Sequence, residues 1–79
     1  MATAMLRAVT LKEIQAVFAV TDGLGISREA LVIPLAPARP GRVRRLPGGK
    51  LEIVLDAEAP LEEWLARLPE LIARAQGDA

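Results

Sequence analysis

The periodic pattern of the chain begins at Thr10. Thr10-Leu11-Lys12-Glu13 has the form of a capping box, in which the threonine hydroxyl accepts from the Glu13 amide while the glutamate reaches back. Val9 and Ile14 occupy the two positions of a hydrophobic staple. Leu11, Ile14, Val17, Phe18 and Thr21 then recur at the 3.6-residue period, which predicts a helix over 11–22 with one apolar face. Gly23 and Gly25 end it, because glycine enters the left-handed conformation of a helix C-terminus readily.

Beyond the glycines the period changes. Ser27-Arg28-Glu29 either begins one short turn or leads directly into a strand, and the strand reading is preferred, over Ala30 to Leu35 with Leu31-Val32-Ile33 at its centre. Pro34 has no amide proton, so this strand lies at an edge or stops there. Ala36 to Gly41, with Pro37 and Pro40, reads as a loop. Arg42–Leu46 and Leu51–Leu55 flank Pro47-Gly48-Gly49-Lys50 and predict a hairpin. A three-residue turn at Pro47 to Gly49 sets Val43 against Ile53 and Arg44 against Glu52, with Leu51, Ile53 and Leu55 on one face. A two-residue Gly-Gly turn sets Arg44 against Ile53 instead. A slip of one residue turns every side chain over, so the first register is chosen on hydrophobic grounds.

Asp56 to Ala59 connects to a second helix, with Pro60 suited to its first position and Glu62 and Glu63 favourably placed near its positive end. Leu61, Trp64, Leu65, Leu68, Leu71, Ile72 and Ala75 form its apolar stripe. Glu63–Arg67 and Glu70–Arg74 are i,i+4 pairs. Pro69 predicts a kink or a restart, and the tail Gln76 to Ala79 is expected to fray. The order is α-β-β-β-α, an α+β class: two helices on one face of a small, mostly antiparallel sheet, in a single domain spanning 1–79.

Composition adds a motive for self-association. At 79 residues, 52% are hydrophobic but only 3% aromatic, much aliphatic surface for a body that buries about 60% of its unfolded area. A homodimer is the expected outlet, with Leu61, Trp64, Leu65 and Leu68 as the candidate interface, tryptophan being common at such hot spots. For Trp64 itself, packing in the core between helix and sheet is the preferred reading, and the interface is the other. Ten basic and ten acidic residues cancel, so nucleic acid cannot be held through overall charge. The absence of cysteine and of any long apolar run, with Met1 to Val9 unlike a signal peptide, leads to the expectation of a soluble cytoplasmic protein. Eight of the ten basic residues are arginine, as in a GC-rich, thermophilic bacterial source.

Catalytic chemistry is scarce. There is no histidine, the usual proton shuttle and metal ligand. Ser27 is the only serine, and nothing is available to activate it. Glu52, Asp56 and Glu58 alternate near a strand end and could meet a hard cation, but calcium takes six to eight oxygens, so they read as solvated charges. Gly23 and Gly25 end a helix where a nucleotide-binding loop would start one. The expectation is a non-enzyme without cofactor or metal.

From Gly49 to Ala73, the strand, short connector and amphipathic helix resemble the core of HExxH zinc metallopeptidase-like domains found beside bacterial regulators. There the helix carries an AHELAH-type sequence; here the stretch is Leu68-Pro69-Glu70-Leu71-Ile72-Ala73. Glu70 matches the family's glutamate, whereas Pro69 and Ala73 stand at the two ligand positions. The resemblance therefore implies a degenerate, metal-free relative, not a peptidase.

The remaining feature is cationic. Arg39, Arg42, Arg44, Arg45 and Lys50 fall within one short stretch without an acidic residue. Arginine forks fit phosphate or carboxylate oxygens, so nucleic acid, an anionic ligand or an acidic protein could bind here. No aromatic residue stands among them to stack on bases, and charge on an edge hairpin also guards against aggregation. Two functions stay open: an interaction or dimerisation protein, and an anion binder acting through hairpin 39–50.

Overall fold

A computed structural model of the chain describes residues 8–77. Most of the stretch Met1 to Val9 and the last two residues of the tail lie outside this range. Helix α1 spans Leu11–Gly23, strand β1 Leu31–Val32, β2 Arg42–Arg45, β3 Leu51–Val54, and helix α2 Leu61–Gly77. The α-β-β-β-α order holds. The sheet is mixed: its strand order is β1-β3-β2, with β1 parallel to β3 and β2 antiparallel to it.

Helix α1 starts as its sequence dictates. The Thr10 hydroxyl accepts from the Glu13 amide at 3.2 Å, and the Thr10 amide donates to Glu13 Oε1 at 2.9 Å. Val9, before the cap, is buried, and Ile14 packs on the core. At the other end Ile26 N–H donates to Thr21 O and Gly25 N–H to Asp22 O, both at 3.0 Å. This is a Schellman closure, and Gly25 supplies its left-handed residue at φ 78°. Leu11 departs from the expected apolar face and is 68% exposed. Six residues from Val17 place it roughly 120° around the helix from the buried line. Val17 and Thr21, both fully buried, define that line.

The stretch after α1 combines both readings of its sequence. Ser27 caps a 3₁₀ turn over Arg28–Ala30, its hydroxyl accepting from the Glu29 amide at 3.2 Å, and the strand follows. Strand β1 is shorter than 30–35: it stops at Val32, two residues before Pro34, and lies at a sheet edge. The hairpin has the expected register, Val43 opposite Ile53 and Arg44 opposite Glu52. Its turn is closed by Gly49 N–H to Leu46 O at 3.0 Å, and Gly48 (φ 99°) takes the position where a type II turn needs positive φ.

Leu51, Ile53 and Leu55 on one face of β3 and just beyond it meet Val17 of α1 and Trp64, Leu68 and Ile72 of α2 in one core. Both helices therefore cover the same face. Trp64 is 1% exposed, and burying an indole contributes about 4–6 kcal/mol. That outweighs the cost, about 1–3 kcal/mol, of its Nε1–H meeting no protein acceptor among the described residues. Helix α2 continues through Pro69 without a restart. The proline ring faces solvent, and only the bond to the Leu65 carbonyl is forgone. The helix begins at Leu61, with the Pro60 carbonyl accepting from Trp64 N–H at 3.0 Å, so Pro60 sits one position before the one expected. Gln76 and Gly77 remain helical.

Candidate functional site

The start of β2 is pinned by one carboxylate. Asp56 Oδ2 accepts from the Gly41 amide at 3.1 Å, and its Oδ1 accepts from the Glu58 and Ala59 amides, both at 2.8 Å. The Gly41 amide, then those of Ala59 and Glu58, hold the Asp56 carboxyl below its ordinary value, with the charge of Arg67 adding to them and desolvation opposing. Alongside, Ala38 N–H donates to Leu55 O and Ala57 N–H to Ala38 O. Segment 38–41, which includes a cis Arg39–Pro40 bond, is thus laid against the end of β3, and β2 leaves from it.

The five cations of 39–50 do not act as one patch. Arg39 pairs with Glu58 at 3.3 Å and Arg44 with Glu52 at 2.7 Å. Arg42, Arg45 and Lys50 have no ion-pair partner among the described residues. Strand alternation separates them further. Arg42 and Arg44 point to the face away from the helices, whereas Arg45 shares with Val43 the face that α2 covers.

On that face a groove of about 480 Å³ opens between the hairpin and the C-terminal half of α2. Val43, Leu46, Pro47, Leu71 and Ala75 give it apolar walls, Arg45 and Arg74 bring positive charge, and Arg44, paired with Glu52, borders it. Arg74 is tied to Glu70 at 3.2 Å, both side chains largely exposed; such a pair is worth about 0–1 kcal/mol and exchanges readily. The sequence places Leu71 in the apolar stripe and Arg74 in an i,i+4 pair but assigns neither to a binding site, since nothing local tells which part of α2 faces β2.

Beside Arg45 runs an open strand edge. Leu46 N–H donates to Lys50 O at 2.7 Å, which makes Leu46/Lys50 a hydrogen-bonded pair. By antiparallel alternation Arg44/Glu52 and Arg42/Val54 are also bonded pairs, and Val43 and Arg45 turn their backbone groups away from β3. No strand pairs with that side of β2 among the described residues.

The other sequence candidates resolve differently. Trp64 and Leu68 are enclosed in the core, and Leu61 and Leu65 are half-buried against it. As interface anchors Trp64 and Leu68 are corrected, since side chains enclosed inside one chain cannot anchor a second copy without opening the first; Leu61 and Leu65 keep part of their surface. Glu52, Asp56 and Glu58 are each engaged separately, with Arg44, three amides and Arg39. No group of three metal-ligating side chains forms among the described residues. Arg67 lies 5.7 Å from the centroid of the Trp64 ring, and Glu63 does not pair with it. Arg28, paired with Asp22 at 2.7 Å, also covers the Phe18 ring at 4.6 Å; the Arg28 hydrogen bond holds the Asp22 carboxyl below its ordinary value. In the stretch Leu68 to Ala73, Glu70 is a surface partner of Arg74, and Pro69 and Ala73 face solvent.

Compared with protein families, curated proteins and solved structures, the chain finds no match. Among the described residues no helix is long and apolar enough to cross a membrane.

Proposed function

We propose that this chain is a non-catalytic interaction module that docks an acidic partner against the edge formed by β2, the hairpin turn and the adjoining groove. One observation carries the reading: Arg42, Arg45 and Lys50 stand without ion-pair partners beside an unpaired strand edge, although the chain holds as many acidic as basic residues. Carboxylates are available in this sequence, and two of them already neutralise Arg39 and Arg44. Of the described cations left without an ion pair, Arg42, Arg45 and Lys50 gather on the hairpin, whereas Lys12 and Arg67 stand apart on the two helices.

The non-catalytic part of the proposal is supported by the side chains present. Ser27 serves as a cap, Asp56 as a backbone clamp, and the chain has no histidine or cysteine. A homodimer loses the support that the apolar surplus offered it. Leu11, Leu24 and Leu35 are the large apolar side chains left exposed among the described residues. A reducing cytoplasm belongs to the same proposal, supported by the absence of cysteine.

The test is binding of fluorescent poly-glutamate to the protein and to the variant Arg42→Glu/Arg45→Glu, at low and high salt. Affinity should fall with salt and be lost in the variant. Equal affinity in the two proteins would refute the reading.

A further inference from the structure

We infer that the occupant of this edge is an extended acidic segment of another protein, which joins the sheet as a fourth strand beside β2. This rests on the docking reading above and names its partner and mode. The outward backbone groups of Val43 and Arg45 offer a ladder that a strand satisfies and a nucleic-acid backbone does not. Side chains of an added strand alternate between the two sheet faces. Opposite Arg45 a carboxylate enters the groove, within the field of both Arg45 and Arg74. Opposite Val43 an apolar side chain meets the walls made by Val43 and Leu71. Opposite Arg42, on the other face, a second carboxylate meets a cation without an ion-pair partner. The segment so described is acidic at both ends with an apolar residue between.

Two other occupants fit less well. A second copy pairing β2 to β2 antiparallel through Val43 and Arg45 can overlap three of the four strand residues in two registers. Each of them sets arginine opposite arginine: 42 against 44, or 44 against itself. Like charges directly opposite destabilise a pair of strands. Nucleic acid would meet cations but also an apolar groove with no aromatic platform for its bases.

The experiment measures binding, by fluorescence anisotropy at low salt, of a short labelled peptide with glutamate, threonine, valine and glutamate in that order at its centre. A second peptide of the same sequence carries N-methyl groups on alternate amides, removing the donors while keeping every charge. The parent should bind, and the methylated peptide should bind about tenfold more weakly, the factor that two net hydrogen bonds are worth. Equal binding of the two overturns strand addition but leaves charge-driven docking standing. Binding of neither refutes both readings. A single-stranded oligonucleotide that displaces the parent peptide at lower concentration overturns the choice of an acidic protein. Val43→Pro supplies an independent arm, since the Val43 N–H faces away from β3 and its loss leaves the hairpin ladder intact. With the near-ultraviolet signal of Trp64 retained, this variant should lose the peptide; binding retained in the folded variant overturns the inference. The peptide pair on the unaltered protein decides the question whether or not the variant folds.

Discussion

Consider alanine at position 41. Its Cβ would lie 2.6 Å from the Asp56 amide nitrogen, 2.7 Å from the Val54 carbonyl oxygen and 2.8 Å from Asp56 Cα. All three are backbone atoms at the end of the central strand, so no side chain can rotate to make room. Either segment 38–41 lifts from β3, stretching the bond from Gly41 N–H to Asp56, or the end of β3 moves. Inserting a methyl group into a filled space costs roughly 1–3 kcal/mol. Contacts this short with atoms this fixed put Gly41→Ala at the upper end, about 3 kcal/mol. For a domain of this size that corresponds to a fall in Tm of about 12–24 °C. Gly23→Ala is the control: a Cβ there meets nothing within 4 Å, and alanine in a helix gains about 0.5–1 kcal/mol over glycine. Urea unfolding followed by the fluorescence of Trp64, the sole tryptophan, reads both. A Gly41→Ala variant within about 0.5 kcal/mol of the parent, the range of ordinary surface changes, would show that β2 is not held by this clamp.

Three further outcomes follow from the same geometry. Asp56 has a lowered folded pKa, so its contribution is present above the unfolded value of about 3.9 and lost as pH falls through the folded value. The urea midpoint should therefore drop more steeply in acid for the parent than for Asp56→Asn, and parallel profiles would contradict the assignment. Thr10→Ala removes the cap of α1 and should cost about 1 kcal/mol; no loss in urea unfolding would mean that the box carries no weight. In hydrogen exchange the amides of Val43 and Arg45 should exchange fast and that of Arg44 slowly, whereas uniform protection along β2 would show that its outer edge is already covered.

Local chemistry made much of this fold legible. The hairpin register followed from one requirement, that Leu51, Ile53 and Leu55 share a face, and Pro47-Gly48-Gly49 supplied the turn that allows it. The capping box at Thr10, the glycine closure of α1 and the stripe from Leu61 to Ala75 are likewise written in adjacent residues. The parallel pairing of β1 with β3 was not legible, because the two strands lie far apart in sequence and two residues of β1 carry no pattern to indicate a partner. Leu11 misled because a stripe of apolar residues is wider than the line that is buried. At Pro69 the helix runs on without a restart, because the packing of Trp64, Leu68 and Ile72 on both sides of it outweighs one missing backbone bond.

The candidate site was half legible. The run of arginines was visible, but its neutralisation by Glu52 and Glu58 depends on the strand register and on the Asp56 turn. The assignment of Arg45, apart from Arg42 and Arg44, to the helix-covered face came with the same register. Arg74 entered only through the packing of α2 on β2. Trp64 was open to both roles in sequence, and the packing of both helices on one sheet face places it in the core.

The most direct measurement is a titration of isotopically labelled protein with poly-glutamate, read as backbone amide shifts in a nitrogen–proton correlation spectrum. The account predicts that the shifts concentrate at Arg42 to Lys50 and at Leu71 to Ala75, and vanish at high salt. Shifts gathered instead around Leu11, Leu24 and Leu35, or an unperturbed spectrum at low salt, would contradict it.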